Sequence, residues 1–547
     1  MPTIKLNKDV FEELIGKKLP LELLKDRISM LGTDLESIEG NEITVEVFPN
    51  RPDMLSEQGF ARAFSSFMGI KTGLRKYHVK KSGEKLFVKN TPDYYPYAIA
   101  FIAKNIQLNE EKVRELIQLQ EKIGVTMLRN RKKGGIGLYP LEKLQFPITF
   151  EGRNPDQIAF RPLEYPDVLP AREILQKHKK GKEYGHLMEK WSKYTIFVDH
   201  NGTIMSMPPI INSHVVGKID EETENLFVEC TGTDFNTINI ALNIFAATLL
   251  DMGAEVLSIE VHHDRKTFDI PNLNSKSMTL DVSYANKILG LNLNEKRAIE
   301  LLERMGYGCE KNKVLIPAYR ADILHPIDLV EDIAIAYGYE NFKEIIPNVA
   351  TIGEEDPLET FLRKVREILI GFGLLECKNL HLSTKEILND LMNLNEKIIP
   401  LQNALGEHNR LRNALLPCLI KNLAENQHQE YPQNLFEIGR IFSYGKSETG
   451  ITEHESLSIV LCHEKTDFTE IRQILDGLMR ELAIAFSVKE AEHPSYITGR
   501  VGEITIEQEK IGVIGEISPE VLARWEILTP LVALELDAEK LWKAVRR

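Results

Sequence analysis

Apolar residues in this sequence keep changing their period: stretches spaced i, i+3, i+4, i+7 give way to alternating ones and back again, with turn residues between them. Such switching builds many short elements, and a chain of 547 residues is too long to gather them into one core. Roughly three or four domains are expected, of multidomain α+β class. Sequential modules fit the order of elements better than a doubly wound α/β fold, and no internal repeat is present.

The first stretch reads as a strand (Thr3 to Leu6), two helices (Val10 to Ile15, Leu21 to Met30) and a strand (Glu42 to Phe48). It closes on the turn P-N-R-P-D, Pro49 to Asp53, and a helix from about Glu57 to Met68, which makes residues 1–75 an N-terminal α+β module. A charged connector leads into the largest domain, 86–265, with helices at Glu110 to Ile123 and Ala171 to Gln176 and strands at Tyr194 to Val198 and Leu226 to Cys230. Beyond a linker at Pro271 to Ser275, a module over 274–345 opens on the alternating stretch Ser277 to Val282. Asn294 caps a helix with Ala298, Leu301, Leu302 and Met305 on one face and Gly306 as its stop. A strand (Val314 to Pro317) and a helix (Ile327 to Tyr337) complete a unit of winged-helix size. The last domain, 356–547, alternates helices (Leu358 to Phe372, Asp467 to Ala485) with strands at Leu435 to Phe442, Ser456 to Leu461, Glu503 to Ile506 and Leu531 to Leu536.

With 67 basic against 81 acidic residues the net charge is -14, so any nucleic-acid contact has to come from a local basic patch. Cys230, Cys309, Cys377, Cys418 and Cys462 are far apart, with no C-x-x-C pair and no histidine at zinc spacing, which favours a reducing compartment. The most apolar segment, Ile238 to Gly253, is broken by Asn239, Asn243 and Asp251, and Lys5, Lys8 and Asp9 stand where a signal peptide is apolar. A cytoplasmic location is therefore expected.

The sharpest chemical feature is Asp322, Asp328, Glu331 and Asp332 in Y-R-A-D-I-L-H-P-I-D-L-V-E-D-I. Spacings of three and four put Asp328, Glu331 and Asp332 on one helical face, with Ile327, Val330, Ile333, Ala334 and Tyr337 opposite and Asp322 in a loop just upstream. Four carboxylates repel one another unless a cation sits among them, and an all-oxygen set suits Mg²⁺. The same residues also serve as helix punctuation, since D-x-x-E is capping-box-like and acids in a first turn complement the macrodipole.

A second feature pairs S-M-P-P-I-I-N-S-H, Ser206 to His214, with V-E-C-T-G-T-D, Val228 to Asp234, ahead of an apolar helix. A Thr/Gly/Asp turn opening a helix leaves backbone N–H groups free for a ligand, and Asp234 is equally well read as a plain N-cap. Two basic runs, Arg129 to Gly135 and His178 to Lys182, have the composition of phosphate trackers but also of solvated loops. His262, His263 and Asp264 read as a surface loop. No Walker A loop, G-x-G-x-x-G, G-x-S-x-G or H-E-x-x-H occurs, and no Cys-His or Ser-His nucleophile pair is evident.

Taken together, the chain resembles the β subunit of phenylalanyl-tRNA synthetase in its archaeal and eukaryotic-cytosolic form. The motifs occur in that family's order: P-N-R-P-D with G-F-A-R-A, P-P-I-I-N-S with T-G-T-D, R-A-D-I-L-H-P-I-D-L-V-E-D-I-A, and L-R-N-A-L-L-P with L-F-E-I-G-R-I-F. The resemblance implies an N-terminal module, a B3/B4-type editing domain, a B5-type winged-helix-like domain and a class II synthetase-like antiparallel-sheet core that lacks catalytic motifs. In that core Arg440 is the one strong cation of Phe436 to Phe442, and no glycine-rich strand ending in arginine comes after it. ATP chemistry needs cations on the phosphates, so the resemblance implies a scaffold that pairs with a catalytic alpha subunit.

The same resemblance implies an α2β2 tetramer that charges tRNA(Phe), with ATP and phenylalanine bound by the alpha subunit. This chain would itself hydrolyse mischarged Tyr-tRNA(Phe), using Asn212, Ser213, Thr231 and Asp234, and would hold Mg²⁺ on Asp322, Asp328, Glu331 and Asp332. Editing is needed because an apolar pocket rejects an added hydroxyl only weakly. Two rivals remain at this level: a non-catalytic nucleic-acid-binding scaffold built on the winged-helix-like unit, and a metal hydrolase built on the four acids.

Overall fold

Caps written into the sequence decide where the helices start. Asn7, Ser56, Asn109, Asp234, Asn294 and Asp467 each accept a hydrogen bond from a backbone N–H in the first turn of the helix they precede. Each cap satisfies a donor that the helix itself leaves without a partner. The computed structural model describes residues 2–263, 266–349 and 352–546. The chain forms two compact units, Met1–Ile346 and Pro347–Arg547, in a multidomain α+β arrangement.

In the first unit a three-stranded antiparallel sheet, ordered Thr3–Asn7, Glu42–Glu46, Asp34–Glu39, carries the helices Lys8–Ile15, Leu21–Met30 and Glu57–Phe67. Phe11 packs against Phe60 and Phe64 with ring centroids 5.7 and 5.3 Å away, so the first helix and the helix after P-N-R-P-D share one core. The strand Asp34–Glu39 is absent from the sequence reading because D-L-E-S-I-E has only two apolar residues and lies at a sheet edge.

The centre of the unit is a ten-stranded mixed sheet. Its path runs Ile211–Asn212, Ile204–Met207, Tyr194–Val198, Ile148–Arg153, Lys80–Lys89, Glu255–His263, Tyr97–Lys104, Leu226–Gly232, Gly134–Pro140, with Lys266–Ile270 branching from Glu255–His263. The helix Phe235–Asp251 is buried almost throughout and packs against this sheet, which accounts for an apolar segment too polar to cross a membrane. Among the described residues no helix is long and apolar enough for such a span. His262 and His263, read as a surface loop, lie instead within the strand Glu255–His263, where the Phe87 ring packs 5.0 Å from His262; Asp264 lies outside the described residues.

Further along, Asn294 caps Glu295–Arg304, whose Ala298, Leu301 and Leu302 are buried as their spacing requires. The stretch Ser277 to Val282 departs from its reading: the strand is Lys276–Thr279, and Val282 begins a helix, Val282–Leu289, because Asp281 accepts from Tyr284 N and starts a turn. The second unit is a seven-stranded sheet ordered Leu375–Glu376, Gln433–Tyr444, Ile451–Cys462, Leu531–Asp537, Glu509–Ile517, Tyr496–Ile506, Ser487–Glu490. It is antiparallel except for the short parallel pairing of its first two strands. Alternation along Ile451–Cys462 sends Leu457, Ile459 and Leu461 to a core with Leu362, Leu475 and Leu541, and Val460 and Cys462 to one with Leu419 and Ile420 on the other face.

Two carboxyls are held close together where the helices Glu57–Phe67 and Glu110–Val125 meet. Glu115 accepts from the backbone N–H of Glu57 at 2.7 Å and of Gln58 at 3.3 Å, while Glu57 accepts from Asn7 N at 2.6 Å. Burial raises both, with Glu111 adding to the rise at Glu57 and Glu57 at Glu115; Glu57 is pushed up to about 7 and Glu115 to about 8. Between the ordinary value of 4.5 and those values the folded chain binds more protons than the unfolded chain, so this pair's contribution to stability is lost as pH rises through that window. Glu115→Gln is therefore expected to raise the melting temperature relative to wild type by an increment that grows from about pH 5 to about pH 8.5. Scanning calorimetry at several pH values checks this, and a pH-independent increment contradicts the assignment.

Candidate functional site

One edge of the ten-stranded sheet is the strand Gly134–Pro140 and the other is Ile211–Asn212. The sheet curls until these edges meet. Tyr139 Oη lies 3.2 Å from Asn212 Oδ1, and Arg131, just before the first edge strand, donates to the carbonyls of Pro209 and Ile210 at 3.1 and 2.9 Å. At this seam opens a cavity of about 610 Å³, a size suited to a small organic group, whose wall includes Gln120, Tyr165, His178, Lys180, Asn212 and Glu229.

Glycines make the seam possible. A Cβ on Gly135 would stand 3.3 Å from Pro209 Cα, tight against the opposite edge, and one on Gly137 would overlap Glu229 Oε1. Gly137 is the residue directly across from Glu229 in the antiparallel register, so the missing side chain is the space into which the carboxyl folds. Tyr139, two residues on, points to the same face and packs 5.9 Å from Phe227.

Glu229 is 2% exposed, and burial pushes its carboxyl up to about 8, which leaves it largely uncharged at neutral pH. Tyr139 Oη lies 3.3 Å from Oε1, whereas Oε2 has no partner. Glu229 belongs to the cavity wall, and an uncharged carboxyl with one unpartnered oxygen is a hydrogen-bonding group able to recognise a hydroxyl. The cavity also carries cations: Arg131 lies 4.4 Å over the Tyr184 ring, and Lys180 pairs with Glu183 at 3.2 Å and Glu121 at 3.7 Å. The two basic runs of the sequence thus meet at one cavity.

Of the four residues singled out for hydrolysis, Asn212 lines the cavity. Ser213 and Thr231 are buried outside its lining: Ser213 Oγ accepts from Val215 N at 3.3 Å, and Thr231 Oγ1 is 3.0 Å from Tyr95 Oη. Asp234 lies apart from this cavity. It is exposed and absent from the cavity wall, and its carboxylate accepts from Thr237 N at 2.7 Å and Thr237 Oγ1 at 2.6 Å, a cap for its own helix that holds it below the usual carboxylate range. Glu229 and Tyr139 escaped the sequence reading. The available signals were a glutamate inside an apolar strand and the glycines of G-G-I-G, which together mark a close approach.

The acid cluster is also rearranged. Asp332 is buried with Leu329, Val330 and Ile333, while Ile327 is exposed, so the helix Pro326–Tyr337 is rotated from the face assigned by spacing. Arg320 reaches Asp322 at 2.8 and 2.7 Å and Asp332 at 2.8 Å, and Tyr307 also donates to Asp332. Asp328 closes a capping box with His325, accepting from Leu324 N and His325 N at 2.7 Å each. Glu331 is exposed and raised, by burial first and then by repulsion from Asp332, Asp328 and Asp322. The inner pair has a guanidinium as its counter-charge, and among the described residues no group of three or more His, Cys, Asp or Glu is arranged to hold a metal ion. As arranged, Asp322 and Asp332 take their counter-charge from Arg320 and Asp328 serves as a cap, so the structure gives these acids partners other than a cation.

In the second unit Arg440 pairs with Glu453 and Glu455 across the strand at 2.8 and 3.0 Å. Arg412, a cation the sequence reading passed over, is fully buried and holds Glu437 at 2.7 Å and the Arg440 carbonyl at 2.8 Å.

Comparison with known proteins fits these units. Residues 278–339 match the tRNA synthetase B5 domain, and residues 343–538 match the phenylalanyl tRNA synthetase beta chain CLM domain. Built from synthetase modules, the chain is a subunit of an aminoacyl-tRNA synthetase. Phenylalanine–tRNA ligase beta subunits of Thermococcus sibiricus and Pyrococcus abyssi are 35% and 36% identical to it, each over 99% of this chain and over 99% and 100% of their own. That of Methanococcus aeolicus is 37% identical over 98% of this chain and 100% of its own. A crystal structure of an N-terminal fragment of the Pyrococcus horikoshii beta subunit is similar with a TM-score of 0.59 and 34% identity, covering 61% of this chain and 99% of the fragment. The chain belongs to the phenylalanine–tRNA ligase beta subunit family.

The buried charges give a stability prediction. Arg320→Met leaves Asp332 and Asp322 without their counter-charge and is expected to cost about 3 to 5 kcal/mol. Glu331→Gln, at an exposed site, is expected to change stability by less than about 0.5 kcal/mol. Urea unfolding of both variants checks the ranking, and equal effects contradict it.

Proposed function

We propose that this chain acts with a catalytic alpha subunit in an α2β2 synthetase that charges tRNA(Phe) with phenylalanine, ATP and phenylalanine being bound by the alpha subunit. We assign to this chain the hydrolysis of tyrosine misattached to that tRNA, in a B3/B4-type editing domain whose site is the cavity at the sheet seam. The single observation that carries the assignment is the buried, uncharged Glu229 carboxyl with one free oxygen in the cavity wall.

A tyrosyl side chain entering the cavity brings its hydroxyl to Glu229 Oε2, the free oxygen, and gives a buried polar atom the partner it lacks. Phenylalanine has no such group and leaves Oε2 unpaired, so it binds less favourably than tyrosine by about 1 to 3 kcal/mol. The site therefore discriminates in the direction opposite to an apolar synthetic pocket. Asn212, at the cavity wall, is in reach to orient the ester or the attacking water, and Arg131, Lys179 and Lys180 supply positive charge for the phosphates of an RNA 3′ end. No Cys-His or Ser-His nucleophile pair is evident in the sequence, and direct attack by water is the mechanism assigned.

The second unit supports the scaffold reading of a class II-like core. Its fully buried cation, Arg412, is paired with Glu437, and Glu535 in the Leu531–Asp537 strand accepts from Leu415 N and Leu416 N at 2.8 and 3.0 Å. Its buried cation is thus neutralised by a carboxylate, whereas phosphate chemistry calls for cations free to meet the phosphates. Five unpaired cysteines suit the cytoplasm, where tRNA is charged.

The chain purified alone is expected to show no phenylalanine-dependent ATP–pyrophosphate exchange; robust exchange contradicts the scaffold reading. In the complex with the alpha subunit, Glu229→Ala is expected to slow the clearing of Tyr-tRNA(Phe) at least about tenfold with phenylalanine charging retained. Asp234→Ala is expected to cost about 1 kcal/mol of stability as a lost cap, without accumulation of Tyr-tRNA(Phe). Reversed roles for the two acids overturn the placement of the site.

A further inference from the structure

Tyr139 stands between the two groups that the hydrolytic reading uses. Its hydroxyl is 3.2 Å from Asn212 Oδ1 on one sheet edge and 3.3 Å from Glu229 Oε1 on the neighbouring strand. A phenol has one proton to donate and an oxygen that also accepts. The ring is fully buried against Phe227, which holds the hydroxyl among Asn212, Glu229 and Ser206. A Cβ on Gly137 would come within 2.6 Å of the Tyr139 hydroxyl as well as overlapping Glu229 Oε1, so the strand keeps open the volume in which the two groups meet.

We propose that Tyr139 is a positioning residue for the hydrolysis, its single hydroxyl tying Asn212 to Glu229 across the seam of the sheet. This rests on the hydrolytic reading of the cavity. With the carboxyl proton on Oε1, Glu229 donates to the phenol oxygen and the phenol donates to Asn212 Oδ1. That chain fixes both amino acids by the atoms facing away from the substrate: it leaves Glu229 Oε2 as the free acceptor for an incoming hydroxyl, and it fixes the amide of Asn212 with its N–H donors free. No bond to the substrate is made by Tyr139. Removing its hydroxyl leaves both side chains in place but lets each rotate, so recognition of the tyrosyl hydroxyl and orientation at Asn212 fail together.

The test uses the complex with the alpha subunit and measures hydrolysis of Tyr-tRNA(Phe) and Phe-tRNA(Phe) by wild type, Tyr139→Phe, Asn212→Ala and the double variant. Tyr139→Phe keeps the ring and is expected to lower the ratio of kcat/KM for the tyrosyl over the phenylalanyl ester about ten- to a hundredfold. KM and kcat for the tyrosyl ester are both expected to change. The double variant is expected to be no worse than Asn212→Ala alone, because the two single changes break the same chain. Gly137→Ala, which keeps Tyr139 and Glu229 but closes the space between them, is expected to lower the same ratio, and it carries the test should Tyr139→Phe fold poorly. Wild-type discrimination in both variants, or strict additivity of Tyr139→Phe with Asn212→Ala, overturns the positioning role while the hydrolytic reading stands. A wild-type complex that does not clear Tyr-tRNA(Phe) overturns both.

Discussion

Three buried arginines hold the first unit together. Arg51 pairs with Asp53 at 2.9 and 2.8 Å within P-N-R-P-D, Arg62 pairs with Asp251 at the end of the long buried helix, and Arg320 pairs with Asp322 and Asp332. Arg51–Asp53 and Arg320–Asp322 lock local turns, while Arg62–Asp251 and Arg320–Asp332 tie one segment of the chain to another. Arg62, from the helix Glu57–Phe67, reaches Asp251, which also accepts from Tyr77 at 2.9 Å, and its guanidinium lies 4.1 Å over the Tyr319 ring beside Arg320. Burial alone would raise Asp53, yet Arg51, helped by Arg320 and Arg62, holds it below the usual carboxylate range. Charges taken out of water must find partners of fixed geometry, so these pairs contribute orientation more than net stability. The helices Glu57–Phe67, Phe235–Asp251 and Pro326–Tyr337 are set relative to one another by them.

That constraint also explains the acids that spacing assigned to a metal. Asp322 and Asp332 have the counter-charge a buried carboxylate requires, supplied by Arg320 from the same R-A-D segment. In the second unit the same solution appears with Arg412 and Glu437, both without solvent exposure, from L-R-N-A and L-F-E-I. P-N-R-P-D, R-A-D-I-L-H-P-I-D and L-R-N-A with L-F-E-I thus supply ion pairs that position elements, whereas Pro208 to Asn212 of P-P-I-I-N-S line the cavity.

The cavity depends on a different device, the absence of side chains. Gly135 and Gly137 let one edge of a curled sheet approach the other, and the space they leave is taken by the Glu229 carboxyl and the Tyr139 hydroxyl. A carboxyl placed there loses its hydration and keeps its proton to about pH 8, which turns a charged residue into a neutral hydrogen-bonding one. The fold therefore sets the chemistry of Glu229 as well as its position.

Much of the architecture was legible in the residues because local rules suffice for it. Leu21–Met30 and Tyr194–Val198 fall where the residue pattern puts them, the cap Asn294 sets the start of Glu295–Arg304, and the order of motifs carries the family. Local rules also left Asp234 readable as a cap, and it is one. What the sequence withheld are relations between residues far apart in it: Arg131 with Ile210, Tyr139 with Asn212, and the rotation that turns Asp332 toward Arg320 instead of solvent. Periodicity reports which face of an element is apolar, whereas the partner of a buried polar group is chosen by the packing of other elements against it. Only the tertiary structure could bring the two edges of one sheet together and make a neutral acid of Glu229, because burial is a property of everything around a residue.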